Sequence, residues 1–371
     1  MQPVKMVHRS SAFGVYVSLV LLVEALWAAA TSRYPGHAYL MASVVLPVFV
    51  ASIAASYAVS GARRHPRAGR ISLLLSFGVL VVALAGLVAG VLVVSSNFFE
   101  LWGLGIAYLV FSLALWAAAA ATPPGTVRLS VAGLAYAFSL AAVYTFIPAS
   151  NRGFFEDLFG LVHAVAVTSI YAVTIHSFPS TYGDKPRLLL VYVLYALQGA
   201  GLATYMAEPP IGALVLSTVM LLYPLAIGLD RSPRYLAKIR SMPPGPARSS
   251  HMYFLLGHWF AAAYSLMAFG TALMYWGAPL QALTLFTHIH TVTIGFVTQH
   301  ILIHAPMMVP IILGIATARR YTALGYILLF IATIAFPISL TTALITYILA
   351  LVAMTLIVWP RKGPKTIPPA I

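Results

Sequence analysis

The chain has 371 residues, of which 61% are hydrophobic and only 8% charged, so it lacks the polar face of a water-soluble globule and reads as a polytopic membrane protein. Its net charge of +14 would suggest a nucleic-acid partner in a soluble protein, but the basic residues fall in the loops between apolar runs and no such partner is expected. The absence of cysteine excludes disulfides, iron–sulfur clusters, thiolate-ligated haem and attached haem c, which leaves nitrogen as the soft ligand.

A membrane span needs about 20 apolar residues. Taken in chain order, the candidates lie near 11–31, 37–61, 71–95, 98–122, 129–149, 158–178, 187–206, 210–229, 252–276, 280–304, 322–338 and 340–359. The first run follows a charged start but lacks a small-residue cleavage pattern, so it is expected to be a retained helix. The last two runs are separated only by Pro337, which breaks the helical hydrogen-bond ladder. Segment 305–318 is apolar yet fits no span, and Pro306 and Pro310 suggest an interfacial or re-entrant path. The expected fold is therefore an all-α membrane bundle of about twelve spans, with residues 1–371 forming one domain.

Loop charge orients these spans. With the N-terminus in the cytoplasm, only Arg33 and Arg152 of the 21 basic residues fall on the outer side. Such a bias follows the positive-inside rule and places both termini in the cytoplasm of a multi-pass plasma-membrane protein.

The eleven histidines sort by depth on this topology. His8, His65 and His251 lie in inner loops, as solvated side chains do. His37 opens the second span at its outer end, His163 lies one or two turns into the sixth, and His288 and His290 lie in the outer half of the tenth. His176, His258, His300 and His304 form a second level near the cytoplasmic side. Intramembrane ionisable groups are costly and mark functional paths or sites. Four imidazoles at one depth point to a cofactor, and haem fits because a flat macrocycle between apolar helices needs only one or two axial imidazoles. Zinc fits less well, since no carboxylate lies at that level.

Within His288-Ile289-His290 the two imidazoles are about 200° apart around an α-helix, so they face opposite sides and serve different partners. His300 and His304, four apart, share a face. Glu24, in the middle of the first span, suits a proton path, a histidine partner or a hydrogen-bonded structural role equally. Trp102, Trp259, Trp276 and Trp359 fall near span ends, as interfacial anchors do, and Met307 with Met308 reads as boundary packing rather than as a copper site.

These features resemble the catalytic subunit of haem–copper oxidases and nitric oxide reductases: twelve spans, both termini inside, a histidine at the outer end of the second span, one in the sixth and H-x-H in the tenth. The strings THIHTVTIGFVTQHILIHAPMM and GLVHAVAVTSIYAVTIHSFPSTYG are also similar to patterns in small oxidase-like proteins, including the NnrS family of haem- and copper-containing membrane proteins. The resemblance covers the whole chain by topology, and only a few short segments by motif. It implies haem b, one or two per chain, with His37 and His290 clamping one haem and His288 and His163 on the two sides of another. It also implies electron transfer or nitric-oxide or oxygen chemistry alongside another redox subunit or cytochrome. In the family, copper is held by the histidine of the sixth span together with a histidine pair from the seventh. Here the seventh span, RLLLVYVLYALQGAGLATYM, has no histidine, which argues against copper and against a terminal oxidase.

Two other readings remain. His290 and His304 are fourteen apart, nearly on one α-helical face, as in stacked di-haem cytochromes b, with His163 and His176 as partners, although a spacing of thirteen turns those two about 140° apart. A proton-coupled transporter without cofactor would use Glu24, the proline and glycine breaks and the inner histidines.

Overall fold

The computed structural model describes residues 2–31, 33–96, 102–147, 153–277, 281–304 and 322–358. Segment 305–318, with Met307 and Met308, lies outside the described residues, as do Arg152 and Trp359. Among the described residues the chain is helical, with no strand. Among the described residues nine helices are long and apolar enough to cross a membrane, and they follow the first nine predicted spans. They are α1 (Gln2–Ala30), α2 (Tyr34–Ala62), α3 (Ala68–Ser96), α4 (Trp102–Ala121), α5 (Thr126–Phe146), α6 (Phe154–Thr181), α7 (Leu188–Ala207), α8 (Pro209–Ile227) and, after the short α9 (Ser232–Ser241), α10 (Pro246–Gly277). Helix α11 starts at Gln281 and continues to residue 304, and α12 (Thr322–Ala335) and α13 (Leu340–Val358) flank Pro337.

Three of these helices are not α-helical throughout. Residues Leu40–Val45 of α2, His163–Val167 of α6 and Thr291–Val297 of α11 form wider π turns. In α2 the cause is visible: Pro47 has no N–H and cannot donate to the carbonyl four residues back, so the ladder is re-registered just before it. In α6 and α11 a threonine stabilises the wide turn by donating its hydroxyl five residues back, Thr168 to the His163 carbonyl at 2.9 Å and Thr298 to the Thr293 carbonyl at 3.0 Å.

The chain divides into two compact units, residues 1–177 with 198–209, and residues 178–197 with 210–371. In the first, α1 packs on α2 and α3, α3 on α4, and α4 on α5, while the π segment of α6 lies against α2 and α5. Association of helices in lipid relies on close packing of small residues. Ala51, Ala54, Ala55 and Ala58 of α2 are all fully buried, and a methyl group on Gly78 of α3 would meet the Phe111 ring of α4 at 2.7 Å. Of these nine helices α6 is the most enclosed, with 94% of its apolar stretch buried against 33% for α7. In the second unit the π segment of α11 packs on α10 and α12, and α13 covers α12.

Candidate functional site

In the first unit His37, half-buried near the start of α2, donates its Nδ1–H to the Ala25 carbonyl of α1 at 2.9 Å. A carbonyl only accepts, so in the neutral imidazole Nε2 carries the lone pair. Glu24, the residue before Ala25, is half-buried, and a carboxylate oxygen lies 3.4 Å from where a methyl group on Gly90 would stand. His163 is fully buried at the start of the α6 π segment, edge-on to Phe159 with ring centroids 4.7 Å apart. Its carbonyl, displaced by the wide turn, accepts from Gln198 Nε2 at 3.0 Å as well as from Thr168. His176 sits thirteen residues further on, half-buried, against Thr126 Oγ1 at 2.8 Å.

The second unit carries the other five histidines that the sequence places within helices. His288 is fully buried, with Nδ1 2.9 Å from Thr271 Oγ1 of α10. The Thr271 hydroxyl proton is already directed to the Met267 and Ala268 carbonyls at 3.0 Å, so Nδ1–H is the donor and the lone pair again sits on Nε2. His290 donates Nδ1–H to the Phe286 carbonyl at 2.8 Å and stacks on Phe336, 3.9 Å between centroids and 12° between planes. The H-x-H pair thus does face two ways, one imidazole toward α10 and the other toward the residues after α12.

At the other level of this unit His258, His300 and His304 lie with ring centroids 5.8, 5.8 and 6.3 Å apart. His258 and His300, both buried, donate Nδ1–H to the carbonyls of Phe254 and Phe296 at 2.8 Å. Tyr223 donates its hydroxyl to His300 Nε2 at 2.9 Å. His258 Nε2 has no hydrogen-bond partner among the described residues. His300 and His304 do share a face with parallel rings, 13° apart. Among the described residues no group of three histidines or carboxylates converges on a point where one metal ion would sit.

The histidines fall into different units. His37, His163 and His176 belong to the first, and His258, His288, His290, His300 and His304 to the second. The fourteen-residue step from His290 to His304 spans the seven-residue π segment Thr291–Val297, so the α-helical register that would align those two imidazoles does not apply. The same holds for the thirteen residues from His163 to His176.

Thr271, Thr168, Gln198, Tyr223 and Phe336 were not singled out from the sequence. Gln198 had a usable signal, since glutamine occurs only four times and this one interrupts an apolar run. The others needed three-dimensional contacts. No family model matches the chain, and neither a curated protein nor a solved structure matches it.

Proposed function

We propose that this protein is a b-type haem protein of the membrane, serving electron transfer, with His37, His163, His288 and His290 as the candidate axial ligands. The carrying observation is that wide π turns begin at or within three residues of His37, His163 and His290. Such turns are rare and concentrate at functional sites. They cost regular hydrogen bonding, and side chains from Thr168, Thr298 and Gln198 offset that cost at two of the three.

The imidazole chemistry fits haem iron. His37, His288 and His290 each commit Nδ1–H to an oxygen acceptor, which orients the ring and leaves Nε2 as the basic nitrogen, the arrangement in which histidine ligates metals. Bound haem would supply one-electron oxidation and reduction. The chain's own residues would hold the rings in place through Ala25 for His37, Thr271 for His288 and Phe286 for His290. This reading includes the twelve-span topology with cytoplasmic termini in the plasma membrane, and a redox partner outside the chain. Copper is left out, because the seventh span still offers no imidazole.

A second reading is favoured by one observation. Tyr223 is hydrogen-bonded to His300, whose ring neighbours those of His258 and His304, and such a group of imidazoles suits a proton-handling site in a cofactor-free transporter.

Replacement series separate the two. In protein purified from membranes, His290→Ala is expected to abolish a low-spin haem band and added imidazole to restore it, while His8→Ala leaves the band intact. A band unaffected by His37→Ala, His163→Ala, His288→Ala and His290→Ala in turn, each with helical circular dichroism retained, would refute the assignment.

A further inference from the structure

The longest hydrophilic stretch of the chain folds into a fixed ledge instead of a loose loop. After α8, Gly228 adopts a left-handed conformation (φ 85°) that lets the chain reverse through a short 3-10 turn, Leu229–Arg231, into α9. Helix α9 is amphipathic: Ser232, Tyr235 and Ile239 are buried, while Arg234, Lys238 and Arg240 are exposed. Tyr235 stacks on Tyr182 with centroids 4.5 Å and planes 14° apart, and Lys238 donates to the Tyr182 carbonyl at 2.8 Å. Trp259 of α10, half-exposed as interfacial tryptophans are, donates its indole N–H to Ser232 Oγ at 3.1 Å and pins the start of α9 to a membrane-spanning helix.

Both carboxylates of the ledge are already committed. Asp184 accepts from Arg231 at 2.8 Å, from the Tyr235 hydroxyl at 3.0 Å and from the Lys185 backbone at 2.8 Å, and Asp230 pairs with Arg187. Arg234 reaches Asp184 only at 4.0 Å and its side chain is 77% exposed. Lys185 and Arg240 are exposed as well. What faces outward is therefore a group of exposed cations on a fixed helix, neutralised little by their own neighbours, beside the half-exposed Trp259 of a kind found at membrane interfaces.

We propose that this ledge binds the phosphodiester headgroups of anionic phospholipids, with Arg234 and Arg240 as principal contacts and Lys185 beside them. An amphipathic helix with a basic outer face next to a span is the arrangement that recognises anionic lipid surfaces. This inference is independent of the haem reading, because it uses none of the histidines.

The test is the full chain in phosphatidylcholine bilayers doped with spin-labelled phosphatidylglycerol or spin-labelled phosphatidylcholine, reading the ratio of their association with the protein at fixed ionic strength. Wild type is expected to prefer phosphatidylglycerol. Arg234→Gln with Arg240→Gln is expected to lower that preference by about fivefold or more, while Arg63→Gln with Arg64→Gln, which removes two other exposed cations, changes it little. An equal drop in both double variants would show a general charge effect and overturn the proposal, as would no preference in wild type. Loss of the preference in millimolar inorganic phosphate, with a sulfate control inactive, would assign the ledge to a soluble anion and overturn it equally.

Discussion

Gly295 lies inside the π segment of α11, and the ring of Tyr264 from α10 rests on it. A methyl group at Gly295 would stand 2.6 Å from Tyr264 Cδ1 and 3.1 Å from both Cε1 and Cγ, where ordinary carbon contacts need about 3.5–4.0 Å. Tyr264 is fully buried and its ring has nowhere to retreat without displacing α12 neighbours such as Phe330, 5.9 Å away between centroids. Overpacking of this kind costs about 1–3 kcal/mol. Gly270, on the same helix as Tyr264, has open space around its would-be methyl group, so alanine there removes a flexible backbone position and is expected to stabilise by about 0.5–1 kcal/mol. Thermal unfolding of the purified protein in detergent should place Gly295→Ala below wild type and Gly270→Ala at or above it. If Gly295→Ala proved as stable as Gly270→Ala, the close packing of α10 on the wide turn would be refuted.

Two other outcomes are expected. Tyr223→Phe removes the hydroxyl that serves His300 Nε2 in a buried setting, and should destabilise by about 1–3 kcal/mol in the same assay; an unchanged midpoint would show that water takes the place of the hydroxyl. Asp184 is pulled up by burial, but its hydrogen bonds from Arg231, Lys185 and Tyr235 and the Arg231 charge outweigh this and hold its pKa down at about 2, from an ordinary 3.8. A carboxyl lowered on folding stabilises above its unfolded pKa and loses that contribution as pH falls toward the folded value. The ledge should therefore lose about 1–2 kcal/mol between pH 4 and pH 2, the shift being discounted for screening by solvent. Asp184→Asn should be less stable than wild type at pH 7 and show a flatter acid limb; parallel limbs would contradict the linkage.

Much of the helical layout was legible because apolar length alone sets a membrane helix. The first nine predicted runs coincide with nine described helices to within a few residues at most ends, and the largest differences arise where α1 and α10 extend beyond their apolar cores. The two-way orientation of His288 and His290 was legible too, since their spacing falls before the π segment begins. The wide turns were not, because a π turn in α6 or α11 depends on hydroxyl and amide donors arriving from five residues along the helix or from α7. Reading the α-helical period straight through them produced the aligned pair His290 and His304, which the structure does not keep. The division of the histidines between two compact units was equally hidden, as it follows from packing and not from depth.

The visible absorption spectrum of the purified protein, dithionite-reduced minus oxidised, tests the central proposal most directly. The account predicts sharp low-spin bands of haem b, with extraction of one or two non-covalent haems per chain. A folded protein, purified from haem-replete cells and colourless across the visible range, would contradict it.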